Sequence, residues 1–186
     1  MDRLQPVFYY DLGSPQCYLI AETIMAALPV VPEWEPVLAS KLDPPNPQAG
    51  DLYREDIERL AAQHGLQPLR WPGAWPPGTE RAMLAATYAK RIGRAVAFSL
   101  AAFRQAFAGG RDLSDENTIL IAGAACEMHP TALRKGIELA STRNALEAAT
   151  QRARAAGATE LPAIQVGERI YAGLEAIDHA TTALKA

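Results

Sequence analysis

Two residues near the amino terminus have the types and spacing for thiol chemistry: Ser14 and Cys17, in the run Ser14-Pro15-Gln16-Cys17. Serine is a favoured N-cap, and proline at the first helical position gives up an N–H that would lack a partner anyway, so the run reads as a helix start. Cys17 then falls in the first turn, where unpaired backbone N–H groups and the positive end of the helix dipole favour thiolate over thiol. An anion bound there gains from the same field. The plainer alternatives stay open: Ser14 as a cap and nothing more, worth about 1 kcal/mol, and Cys17 as a small core residue.

The other candidates for chemistry are scattered. Cys126 is the second of two cysteines, the pair makes neither CxxC nor metal spacing, and His64, His129 and His179 lie far apart. Neither a metal site nor a disulfide framework is expected. A CxxC cycle, in which one thiol attacks and its neighbour resolves, cannot run within this chain. A net charge of −3 without basic clusters points away from nucleic acid and anionic membrane, and toward a small molecule as partner. Apolar runs are short and broken by charge, and MDRLQPVFYY has no hydrophobic signal region. A cytoplasmic protein with no membrane span is the expectation.

What must position Ser14 and Cys17 is a strand ahead of them and a helix behind. Val7 to Tyr10 is an apolar and aromatic run without alternation, as in a central strand covered on both faces. Asp11, Leu12 and Gly13 break it. Cys17, Ala21, Ile24 and Leu28 recur at helical spacing up to Pro29 and predict a core-facing first helix. Trp34, Val37 and Leu38 predict a second strand, which Pro32 and Pro36 put at or near a sheet edge.

Beyond the proline-rich loop of residues 41–50 the pattern turns helical. Stripes predict helices from Leu52 to Gly65, Glu80 to Ile92 and Ala95 to Ala108. Further helices are expected from a Ser114 cap through Met128, from Pro130 to about Ala140, and from Asn144 to Ala156. Leu69 to Thr79 is an aromatic and proline loop suited to lining a pocket. Ala163 to Val166 and Arg169 to Tyr171 flank Gly167-Glu168 as a type II′ hairpin, and Leu174 to Leu184 reads as a closing helix. With 186 residues and 49% hydrophobic content the chain can bury a sizeable core.

Strand, turn, Ser-Pro-x-Cys and helix resemble the active-site corner of the thioredoxin superfamily. The likeness is to the branch of DsbA-like oxidoreductases, kappa-class glutathione transferases and 2-hydroxychromene-2-carboxylate isomerases. Further local matches are Trp34 to Leu38, Trp75-Pro76 with Thr79, Gly110 to Asp115, and Leu161-Pro162. The resemblance implies an α/β thioredoxin fold (βαβ-α-ββα) with a large all-helical domain inserted after the second strand. Residues 1–42 and 143–186 would form the thioredoxin-like domain and 43–142 the insertion.

In the isomerases and kappa transferases the motif reads Ser-Pro-aromatic-Ser. Here the leading serine matches them, while Cys17 matches the second cysteine of a DsbA-like CxxC. By that similarity Ser14 holds the sulfur of glutathione, or of another low-molecular-weight thiol, as a thiolate. Pro162 is expected to be cis, presenting the Leu161 backbone to the ligand like an added strand. Glu175 takes the place of an aspartate that binds the γ-glutamyl end of glutathione, although Leu174 replaces its polar neighbour. Asn46 falls where isomerase-like proteins carry a ligand-contacting Asn, and Arg54 is a loose counterpart of a lysine.

The implied function is a thiol-dependent isomerase or transferase acting on a small aromatic or hydrophobic substrate, in a family whose members often form homodimers. A monothiol oxidoreductase using Cys17 and a noncatalytic binding module are the alternatives.

Overall fold

The computed structural model describes residues 5–42 and 51–185. The elements in order are β1 (Val7–Tyr10), α1 (Pro15–Ala27), β2 (Glu33–Pro36), a 3-10 turn at Ala39–Lys41, α2 (Asp51–Gln63), α3 (Glu80–Arg91), α4 (Ala95–Phe107), α5 (Glu116–Ala125), α6 (Pro130–Glu138), α7 (Ala140–Ala155), β3 (Ala163–Val166), β4 (Arg169–Ala172) and α8 (Ala176–Lys185). The strands form one sheet in the order β2-β1-β3-β4, with β1 parallel to β2 and antiparallel to β3. This is the βαβ and ββα plan of the thioredoxin fold, with helices filling the chain between β2 and β3. Among the described residues no helix is long and apolar enough to cross a membrane.

The continuous apolar run of β1 follows from its central place, because both faces must find apolar partners. Phe8 and Tyr10 turn to one side with Trp34, Ile164 and Val166, meeting α1, α4 and α8. Tyr9 turns to the other, against Ala149 and Ala153 of α7 and Ala163. Small residues on α7 let that helix come close to the sheet. Tyr10 also anchors the helical region: its hydroxyl pairs with Ser99 of α4 at 2.6 Å, and its ring stands 5.9 Å from Phe103. Phe98, Phe103 and Phe107 are all fully buried, as their helical spacing implies.

Several boundaries differ from the sequence reading, each for a local reason. The cap of α5 is Asp115, whose carboxylate accepts the Asn117 N–H at 2.9 Å; Ser114 instead donates its N–H to Asp112 and stays in the preceding turn. The last long helix starts at Ala140 rather than Asn144, because a single extended residue, Leu139, both ends α6 and begins α7. The Gly167-Glu168 hairpin is present, with Gly167 at φ +60 and Val166 paired with Arg169, as a type II′ turn requires of its first central residue.

Candidate functional site: the turn between the first strand and helix

The turn is held from within by Asp11. Its carboxylate is buried, 3% exposed, and accepts the Gly13 N–H at 2.9 Å, the Ala39 N–H at 3.0 Å and the Thr79 hydroxyl at 3.4 Å. One side chain thus ties the end of β1 to the segment after β2 and to the start of α3. Burial raises the Asp11 pKa, and the hydrogen bonds from Gly13, Ala39 and Thr79 work the other way. In the sequence Asp11 reads only as a strand breaker. Aspartate bonding a backbone N–H two residues on, just ahead of a glycine, was the available signal.

Gly13 is required by a close approach. A Cβ there would stand 2.5 Å from the Thr79 methyl and 3.5 Å from Pro77 Cγ, so the loop ahead of α3 lies directly on the turn. That loop carries the aromatic run singled out in the sequence. Trp71 and Trp75 meet at 5.2 Å, each packs on Phe107, and Phe107 stacks on Tyr18 at 5.5 Å. The loop therefore walls the motif.

Ser14 caps α1 as expected, its Oγ accepting the Cys17 N–H at 3.2 Å. Since the cap uses an oxygen lone pair, the hydroxyl proton is still available to donate. Of the first N–H groups of α1, Pro15 has none, Cys17 gives its own to Ser14 Oγ, and Tyr18 gives its own to the Ser14 carbonyl. That leaves Gln16, half-buried, as the backbone donor at this end with no partner among the described residues.

Cys17 departs from the thiolate expected of its first-turn position. It is fully buried, and burial pushes the thiol up from 9.0 to about 12, against the lowering effect of hydrogen bonding to Ser14 and the Asp11 backbone. The magnitudes decide the outcome: a helix dipole is worth about 0.3–1 kcal/mol, under one pKa unit, while full burial shifts a pKa by up to about 3–5 units. The stripe that Cys17 shares with Ala21 and Ile24 wins over its place at the helix start. Tyr53 of α2, which the sequence did not single out, lies near this thiol; burial first and Cys17 second push its phenol up to about 12. It is a neutral O–H donor at physiological pH.

The Leu161-Pro162 peptide is cis, and so is Trp75-Pro76, which was not anticipated. Tyr9 pairs with Ala163, and continuing that register sets Pro162 level with Tyr10 at the end of β1 that leads into the turn. Pro162 also accepts the Gly173 N–H at 2.9 Å, which draws the segment after β4 to the same edge. Leu161 and Leu174 are half-buried there, and Glu175 is exposed ahead of α8. Ser14, Cys17, Leu161, Pro162 and Glu175 thus fall on segments gathered at one end of the sheet. Asn46 lies outside the described residues. Arg54 of α2 sits over Trp71, 5.2 Å from the ring centroid. Among the described residues no group of three or more His, Cys, Asp or Glu side chains could hold a metal ion.

Solved structures similar to this chain in fold include a 2-hydroxychromene-2-carboxylate isomerase, with a TM-score of 0.85 at 15% identity, covering 98% of this chain and 95% of that one. A probable DsbA oxidoreductase from Streptomyces coelicolor matches with a TM-score of 0.77 at 19% identity, over 98% and 88% of the two chains. The cytosolic disulfide reductase DsbM from Pseudomonas aeruginosa, solved with GSH, matches with a TM-score of 0.67 at 16% identity, over 98% of each. No curated protein sequence matches the chain. These likenesses agree on the fold, and the family model for the DSBA-like thioredoxin domain matches residues 7–185, from the first residue of β1 to the last of α8. With the motif turn, both flanking strands and the intervening helices all inside that match, the chain belongs to the DSBA-like thioredoxin domain family.

Proposed function

We propose that the chain is a thiol-dependent isomerase or transferase of the 2-hydroxychromene-2-carboxylate isomerase type, working in the cytoplasm on a small aromatic or hydrophobic substrate. The observation that carries this reading is the contrast between Ser14, half-buried with a proton still to donate, and Cys17, sealed and protonated. A disulfide exchanger needs an accessible thiolate. Here the accessible group of the motif is a hydroxyl.

A bound thiol supplies a nucleophile that adds to the substrate and leaves again, dividing a hard bond rotation or ring opening into easier steps. The chain's part is to prepare that sulfur. The Ser14 hydroxyl and the Gln16 N–H donate toward it at the positive end of α1, and both favour the charged form over the neutral one. Asp11 keeps the turn in shape. The half-buried Trp71 and Trp75, backed by the buried Phe107, suit an apolar substrate and keep water from one side.

The sulfur end of glutathione fits these residues. Its γ-glutamyl end fits less well, because Leu174 offers neither charge nor hydrogen bond where an anchor for a carboxylate is expected.

Calorimetric titration of wild type and Ser14→Ala with glutathione and other small thiols tests the reading. Binding that weakens in Ser14→Ala supports it, and no heat at millimolar concentration from any thiol sinks it. An insulin-reduction assay separates it from a Cys17 oxidoreductase: wild type and Cys17→Ser are both expected at the buffer rate.

A further inference from the structure

One cavity among the described residues has a size suited to a ligand. It holds about 300 Å³ between α1, α2 and α8, at the lower end of the roughly 300–1,000 Å³ typical of small-molecule sites. Its walls are apolar, from Ile20 on α1, Leu60 on α2, Leu174 just ahead of α8 and Ile177 on it. His64 and Asp178 add polar groups to the lining, and both are exposed.

Two relationships connect this cavity to the motif turn. Gln16, Ile20, Thr23 and Ala27 share one face of α1 by helical spacing, and the last three line the cavity. It therefore runs along the helix from about 9 to 20 Å beyond Ser14, at 1.5 Å per residue. The second link is Leu174, which lines the cavity and follows Gly173, whose N–H is bonded to Pro162 at 2.9 Å. The leucine that spoils a γ-glutamyl anchor is thus part of an apolar wall.

We infer that the thiol this chain prefers has an apolar body, an alkyl or aryl chain ending in a hydrogen-bonding group, and that this body occupies the cavity between α1, α2 and α8. The inference rests on the reading of Ser14 as the sulfur-binding residue. Sulfur sits at the turn, the chain lies over Ile20 and against Leu60, Leu174 and Ile177, and the far polar end reaches the His64 and Asp178 rim. Glutathione, polar throughout, with two carboxylates and an ammonium beyond its sulfur, gains little from such walls.

The test is calorimetric titration of the full chain with 11-mercapto-1-undecanol, long enough to reach from the turn into the cavity, with glutathione and with the sulfur-free 1-undecanol. The mercaptoalcohol is expected to bind at least about tenfold more tightly than glutathione, a margin that burying two methylenes supplies. Leu60→Trp, which fills the cavity, and Leu174→Ser, which makes one wall polar, are each expected to weaken the mercaptoalcohol about fivefold or more and to change glutathione less than twofold. Ser14→Ala should weaken both thiols and leave undecanol unchanged.

Glutathione binding as tightly as the mercaptoalcohol, or a mercaptoalcohol affinity unmoved by both cavity variants, overturns this inference and leaves the Ser14 reading standing. Loss in the cavity variants with no change in Ser14→Ala has the opposite meaning: the cavity binds, and the Ser14 reading fails. Absence of binding by either thiol removes both.

Discussion

Asp11 and Ala39 stand 28 residues apart in the chain, yet the Ala39 N–H donates to Asp11 Oδ2 at 3.0 Å. Through its other oxygen the same carboxylate holds Gly13 at 2.9 Å, so the turn that carries Ser14 is fastened to the segment after β2 before any ligand is involved. Asp11→Ala leaves these two N–H groups without their acceptor inside the fold. A loss of about 2–4 kcal/mol is expected in urea unfolding, at about 1–3 kcal/mol per stranded buried donor with partial relief by water. A loss below about 0.5 kcal/mol would mean that the turn does not depend on this side chain. Thr79→Val, which removes a bond at 3.4 Å, should cost under about 1 kcal/mol.

Gly13 and Thr79 are expected to be energetically coupled. Gly13→Ala puts a methyl 2.5 Å from Thr79 Cγ2, and overpacking of this kind costs about 1–3 kcal/mol. Thr79→Ser removes that methyl and keeps the hydroxyl that reaches Asp11. A double-mutant cycle should return more than about 0.5 kcal/mol of rescue, and additive losses would show that the loop ahead of α3 is free to move off the turn.

Cys17 should be inert to iodoacetamide in the native protein at about pH 8 and react only as the chain unfolds, since its thiol is buried and pushed up to about 12. Labelling of native wild type at a rate comparable to that of the unfolded chain would contradict the burial.

The same thiol links stability to pH. Its folded pKa lies above the unfolded 9.0, so the folded chain holds the proton more tightly than the unfolded one. The contribution is full below about pH 9 and is lost as pH rises toward 12, by about 1.4 kcal/mol per pH unit. Cys17→Ala, which loses packing but has no thiol to ionise, is expected to trail wild type at about pH 8 and to close part of that gap by about pH 10.5. Urea midpoints with a gap independent of pH would refute the shift.

The elements around the site were largely legible because local rules and the final packing agree on them. Ser14-Pro15 starts a helix on any reading of capping, Val7 to Tyr10 is apolar throughout because β1 lies between two strands, and Gly167 supplies the positive φ that the hairpin needs. What sequence could not weigh was competition between two local rules. Cys17 stands both in a first helical turn and on a buried stripe, and only the packed structure says that burial prevails.

Long-range tasks of short polar residues were equally hidden. Asp11 looks like any strand-ending aspartate until Ala39 and Thr79 are seen to meet it, and Leu174 looks like a poor anchor until it is seen to line a cavity. Ser114 leaves the cap of α5 to Asp115: its own N–H is bonded to Asp112 in the turn before the helix, while the Asp115 carboxylate accepts from Asn117.

The measurement that bears most directly on the central claim, that Ser14 holds a small thiol as its thiolate, is the ionisation midpoint of a thiol bound to the protein, followed by thiolate absorbance as pH is raised. A hydrogen bond to a charged group is worth about 1.5–3 kcal/mol, or roughly one to two pKa units. Wild type saturated with 11-mercapto-1-undecanol, or with glutathione, should therefore lower the midpoint by at least about one pH unit relative to the free thiol, and Ser14→Ala should return it close to the free value. A thiol that binds both proteins with the same midpoint would contradict the account.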